Sequence, residues 1–243
     1  MTLKKLVSKS ISTIFVFSLF AFTPLNSHII KKRTNSISKA KKNESGMDFI
    51  YTNLNPNNFE LPQKESFAIA LEGFFNLKSQ GLIHKDILTI IDFSLSSKDK
   101  RLWVIDLTKN IVLFHSLVAH GKNSGEEFAN DFSNQRDSHK SSLGFYLTGE
   151  TYKGKHGLSL KLDGIEKGLN DNARTRGVVV HASDYVSEEY VQKTNRLGRS
   201  QGCPALPKNL SANIINIIKN KSCLFIYHPS LQSKNTDQLV CIK

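Results

Sequence analysis

The stretch Leu102-Trp103-Val104-Ile105-Asp106-Leu107-Thr108-Lys109-Asn110-Ile111-Val112-Leu113-Phe114-His115-Ser116-Leu117-Val118 decides the fold class. Two short runs rich in β-branched and aromatic residues flank the segment Leu107 to Asn110. Such runs suit a pleated, half-buried surface, and a break of that length suits a tight hairpin turn. Working outward, Leu88 to Ser94 reads as another strand, and so do Leu143 to Thr148, Ser159 to Leu162, Gly177 to His181 and Cys223 to Tyr227. Helical spacing is confined to the margins. Phe67, Ala70, Leu71, Phe74, Phe75 and Leu77 recur at threes and fours between Glu65 and Gln80, with Gly81 as a stop. Pro207 opens a second helical pattern carried by Leu210, Ile214, Ile215, Ile217 and Ile218. The expectation is a mainly β domain with peripheral helices. The polar stretch from Gly121 to Ser142 reads as a long loop, and long loops in compact domains are often functional.

At 243 residues, 39% hydrophobic and 22% charged, the chain has enough apolar material for one core, which excludes wholesale disorder. Lys4, Lys5 and Lys9 precede a charge-free apolar run from Ile11 to Phe22. That run is shorter than the roughly 20 residues needed to span a bilayer comfortably. Residues 1–27 therefore read as an export signal or N-terminal anchor, and the protein is expected in the periplasm or cell envelope. Removing that segment takes three lysines and no acid from a formal charge of +12, leaving +9. Residues 28–64 form a basic lead-in, with Lys31, Lys32, Arg33, Lys39, Lys41 and Lys42 suited to an anionic wall polymer or membrane surface. No nucleic-acid motif is present, and nucleic acid is not an expected partner. The folded domain is placed at residues 65–228, with a tail at 229–243.

Three cysteines cannot all pair in an oxidising compartment. Cys223 lies in an apolar run and reads as a small buried hydrophobe, while Cys241 lies in the tail. Cys203 sits in Gly198-Arg199-Ser200-Gln201-Gly202-Cys203-Pro204-Ala205-Leu206, a tight turn presenting a thiol. Gly202 permits close backbone approach, and Pro204 fixes the chain after the sulfur. Upstream, Val178-Val179-Val180-His181 is an apolar strand ending in an imidazole. An imidazole that takes the thiol proton supplies the activation a cysteine nucleophile needs. His139, His156 and Cys203 do not form a zinc spacing, so neither metal nor cofactor is expected.

His181 followed by Ser200-x-Gly202-Cys203 resembles the active-site signature of L,D-transpeptidase (YkuD-type) catalytic domains, and more closely a murein L,D-transpeptidase subgroup. The resemblance also runs through Val118-Ala119-His120-Gly121-Lys122-Asn123-Ser124-Gly125 and Ser141-Ser142-Leu143-Gly144-Phe145-Tyr146. It implies a β-sandwich-like domain, peptidoglycan stem peptides as substrate, and Cys203 and His181 as catalytic residues. It further implies that the Ala182 carbonyl orients the imidazole, that the Gly202 and Cys203 amides hold the oxyanion, and that Ser200 supports the turn. His120, Arg199, Arg176 and Arg174 are candidates for contact with substrate. Ala205 stands where many members of the family carry an arginine. The residues do not separate transpeptidation from hydrolysis of the same acyl-enzyme, as in an L,D-carboxypeptidase, or from a wall-binding protein that keeps the fold.

Overall fold

The computed structural model describes residues 46–234. The export segment, the basic cluster ending at Lys42, Cys241 and the end of the tail lie outside the described residues. In chain order the strands are β1 (Ile87–Asp92), β2 (Leu102–Asp106), β3 (Ile111–Ser116), β4 (Gly144–Gly154), β5 (Gly157–Gly164), β6 (Val179–Ser183), β7 (Ala205–Pro207) and β8 (Cys223–Tyr227). The helices are α1 (Lys64–Ser79), α2 (Glu188–Thr194) and α3 (Lys208–Ile218), with a further helical stretch at residues 46–52 and a 3-10 turn at Pro229–Lys234.

The eight strands form one mixed sheet in the order β3-β2-β1-β8-β4-β5-β6-β7. β8 lies at its centre, parallel to β1 and antiparallel to β4. The sheet also meets itself. Ala119, just beyond β3, bridges to Ala205 of β7, with N–H to carbonyl distances of 2.9 and 3.3 Å in the two directions. The sandwich-like domain expected from the sequence thus takes the form of a single sheet curled into a barrel-like closure.

The hairpin between β2 and β3 is held by Asp106, whose Oδ1 accepts the Thr108 and Lys109 amides at 3.0 Å each. Helix α1 packs on β1 and β8 and buries Phe67, Leu71, Phe74 and Leu77. Full burial of side chains of that size contributes about 1.5–3 kcal/mol each. Helix α3 lies against β5, β6 and β7 through Ile214, Ile215 and Ile218. Of the two helices, only α3 supports the β6–β7 pair among the contacts of the described residues.

Three elements were not anticipated. Helix α2 buries no residue, so it carries no apolar period, and it is fixed instead by the Ser187 hydroxyl accepting the Tyr190 amide at 3.1 Å. β7 is only three residues long and hides inside the Cys203 motif. Residues 46–63, placed by the sequence within the lead-in, join the fold: Leu54 is buried, Asn55 bridges Ile111, and the Trp103 indole donates to the Glu60 carbonyl at 2.7 Å. The stretch Gly121 to Ser142 has no helix or named strand, as expected.

Candidate active site

The site is built at the parallel β6–β7 pair, where His181 stands opposite Ala205. Cys203 precedes Ala205 by two residues, so its thiol falls at the start of β6. There Sγ accepts from the Val179 amide at 3.4 Å and donates to the Gly177 carbonyl at 3.8 Å. Side chains two apart on a strand share a face, so His181 projects on the same side as Val179, the residue whose amide meets the sulfur.

The turn before the cysteine is bonded to itself. The Ser200 hydroxyl donates to the Cys203 carbonyl at 2.6 Å and accepts the Gly202 amide at 3.0 Å. The Gly202 amide is therefore spent within the turn and is not presented to a substrate, which corrects the expectation of a paired oxyanion site. The Cys203 amide makes no hydrogen bond to another described residue and stays available. Gly202 has φ +121°, and a Cβ there would lie 2.8 Å from the Lys140 carbonyl oxygen. A Cβ on Gly121 would lie 2.8 Å from the Gly202 Cα. Two chain segments thus meet backbone to backbone at the nucleophile. Ser141 joins them, accepting the Gly121 amide at 3.0 Å and donating to the Gly202 carbonyl at 3.2 Å.

His181 is buried, and its Nδ1 lies 2.9 Å from the Ala182 carbonyl. A carbonyl only accepts, so Nδ1 carries the proton and neutral Nε2 keeps its lone pair. Nε2 has no hydrogen bond to another described residue. Burial holds the imidazole below its ordinary pKa of 6.5, against the Ala182 bond and with help from the charges of His156 and Lys155. Burial also pushes the Cys203 thiol up, opposed by the Val179 amide, Arg176 and Lys155. Both shifts favour the neutral forms, thiol and imidazole, over an ion pair.

His120 takes a different part from the substrate contact anticipated for it. Its ring is buried, with Nδ1 2.8 Å from the Arg101 guanidinium and Nε2 3.2 Å from the Gly125 carbonyl. Arginine only donates, so Nδ1 accepts and Nε2 donates, leaving nothing for a ligand. Burial and the charge of Arg101 lower this imidazole to about 3. Arg101, fully buried and itself lowered to about 9 by desolvation, also donates to the Val118 and Leu95 carbonyls. The His120 carbonyl accepts the Ser200 amide at 2.9 Å, which ties this buried group to the nucleophile turn. Neither Arg101 nor Ser141 was singled out from sequence; Ser141 lies within a recognised motif, whereas Arg101 gives no local signal.

The arginines are committed elsewhere. Both terminal nitrogens of Arg176 are occupied, by the Ser133 carbonyl and Ser142 hydroxyl on one side and the Ser138 hydroxyl and Lys140 carbonyl on the other. Arg176 therefore fastens the Gly121 to Ser142 loop beside Cys203 instead of reaching for a substrate. Arg199 Nη1 faces the Lys122 and Gly125 carbonyls and Glu126, and Arg174 is paired with Glu150 and Asp163. Among the described residues no three His, Cys, Asp or Glu side chains are grouped to hold a metal ion. Cys223 is buried in the core, where desolvation raises its thiol far above the usual range.

Residues 60–227 match the family described as L,D-transpeptidase catalytic domain, and the chain belongs to that family. Among solved structures it is similar to an L,D-transpeptidase from Mycobacterium smegmatis, at 12% identity, TM-score 0.37, and 59% coverage of each chain. It is similar also to the helical cell shape determining protein Pgp2 of Campylobacter jejuni, at 15% identity and TM-score 0.38, covering 66% of this chain and 56% of that one. Bd1075 of Bdellovibrio bacteriovorus gives 15% identity and TM-score 0.38, with 62% and 52% covered. The matched region thus spans little more than half of these relatives. No curated protein sequence matches the chain.

Proposed function

We propose that the protein is an exported cysteine L,D-transpeptidase acting on peptidoglycan stem peptides through a Cys203 thioester and forming 3-3 cross-links. The observation that supports this most directly is the β6–β7 pairing. It brings the strand carrying His181, with its Nε2 unspent, alongside the turn carrying the Cys203 thiol and its unspent amide.

In this reading the Cys203 thiol gives its proton to His181 Nε2 as the sulfur attacks the carbonyl of the third residue of a tetrapeptide stem. General-base assistance matches shifts that favour the neutral form on both sides. The Cys203 amide receives the developing oxyanion, and removal of such a donor in other enzymes costs about 3 kcal/mol of barrier. The amine of the departing D-amino acid takes the proton from His181 as the C–N bond breaks, leaving a thioester. An amine from a neighbouring stem attacks that thioester, gives a proton to Nε2, and restores the thiol. The Ala182 carbonyl holds the ring in one tautomer throughout. Residues 28–42 would bring the enzyme to anionic wall polymer or membrane through their lysines.

Intact-mass measurement after exposure to a carbapenem tests the nucleophile. One adduct is expected on the native protein and on Cys223→Ala and Cys241→Ala, and none on Cys203→Ala. An unmodified native protein that is folded would overturn the enzyme reading. Incubation with disaccharide tetrapeptides should yield cross-linked dimers, whereas tripeptide alone would make the enzyme a carboxypeptidase.

A further inference from the structure

Most basic side chains around the thiol are neutralised or fully hydrogen bonded. Arg196 and Arg199 share Glu126, Lys140 pairs with Asp131, Arg174 pairs with Glu150 and Asp163, and Arg176 is saturated by the loop. Lys155 is an exception. It is exposed and makes neither an ion pair nor a hydrogen bond with another described residue. It is nevertheless close enough that its charge acts on both Cys203 and His181.

Its position is defined by geometry. Lys155 and His156 form the tip of the β4–β5 hairpin, between the paired residues Gly154 and Gly157. Gly157 has φ +79° with open space around it, which lets the hairpin turn over two residues. The His156 ring then stacks on His181, with centroids 4.5 Å apart and planes inclined by 25°. That stack lays the tip against the imidazole and brings the neighbouring ammonium to the mouth of the site. Arg176 and Lys155 are the charged groups that act on the sulfur. An uncommitted ammonium at the mouth favours an anionic group beside the reacting bond.

We propose that Lys155, held in place by the stacking of His156 on His181, is the subsite for the C-terminal carboxylate of the donor stem peptide. This rests on the reading of the protein as a stem-peptide transpeptidase, in which that carboxylate belongs to the residue expelled when Sγ attacks. Recognition of the carboxylate fixes which carbonyl faces the thiol, so Lys155 sets specificity and His156 is a positioning residue.

The test compares a tetrapeptide donor ending in a free carboxylate with the same peptide ending in a carboxamide. Binding of both to Cys203→Ala protein is measured by calorimetry. The acid should bind roughly tenfold more tightly, the size of one charge-assisted hydrogen bond. Adding Lys155→Ala should abolish the preference by weakening the acid alone, Lys155→Arg should retain it, and His156→Ala should reduce it while His156→Phe, which keeps a ring, preserves it. A preference that survives Lys155→Ala, equal weakening of both peptides, or no preference at the outset would overturn the subsite. Carbapenem acylation of the native enzyme is followed in parallel. Acylation without carboxylate discrimination removes only the subsite, whereas no acylation removes the transpeptidase reading itself.

Discussion

His120 and His181 are buried almost equally, at 1% and 5% exposure, and their rings are wired in opposite senses. His120 receives a proton donor on Nδ1 from Arg101 and gives Nε2–H to Gly125, so both nitrogens are spent. His181 gives Nδ1–H to Ala182 and keeps Nε2 open. Burial lowers both imidazoles, and the buried cation drives His120 down to about 3. Burial alone therefore does not make a base. A neutral ring becomes one where its backbone partner takes a proton from one nitrogen and nothing occupies the other; where both are occupied, the same ring is a strut.

The contrast can be broken most severely at the open ring. His181→Ala is expected to slow acylation of Cys203 by 10²–10⁴-fold, about the contribution of a positioned general base, with little loss of stability. Stopped-flow acylation would measure this, and a fall of only a few fold would refute the assignment. At the closed ring the damage should be to the fold. Arg101→Met leaves His120 Nδ1 and the Val118 and Leu95 carbonyls without their donor, at a cost of about 3 kcal/mol in urea unfolding. Because His120 bonds to the Ser200 amide, acylation by Arg101→Met should slow as well, but its pH profile should keep the native shape.

The two rings also separate in pH. Acylation requires neutral His181, so its rate should rise with pH through an apparent pKa below 6.5 and then level off. For His120 the folded value lies below the unfolded one, so its contribution to stability is present above about pH 6.5 and is lost as pH falls toward 3. The loss is at most about 1.4 kcal/mol per pH unit. His120→Gln keeps a donor and an acceptor without titrating, and should flatten that decline without moving the acylation profile. The smallest effect is expected at the second thiol: Cys223→Ala removes a buried sulfur for about 1 kcal/mol and leaves the acylation rate unchanged.

The sheet was legible because its strands are short apolar runs with clear breaks, and α1 because Phe67, Ala70, Leu71, Phe74 and Leu77 keep one buried face, although Phe75, read with them, is exposed. Helix α2 was not, since it presents no buried residue and its only sequence mark is Ser187 ahead of Glu188 and Glu189. Residues 46–63 show no period because they attach through scattered side chains such as Leu54 and through backbone groups such as the Glu60 carbonyl, which any residue supplies. In the site, the order of His181 and Cys203 was readable from motif. The fate of Arg176 was not, because its acceptors are carbonyls and hydroxyls of a loop whose path no periodicity reveals. The same limit applied to the Gly202 amide, whose partner is a side chain two residues away. The role of His156 was missed because a histidine between two glycines looks like any solvated turn.

The central place of β8 also sets an order of events during synthesis. The β1–β3 meander and the β4–β7 half of the sheet are joined through β8 and through the Ala119–Ala205 and Gly121–Ser200 bridges beside the nucleophile. Closing such distant contacts is slow and requires the late strand to be present. A chain that has not yet delivered Cys223 to Tyr227 therefore holds two half-sheets without the strand that pairs with both, although the β6–β7 pair that carries His181 and the Cys203 turn is already complete.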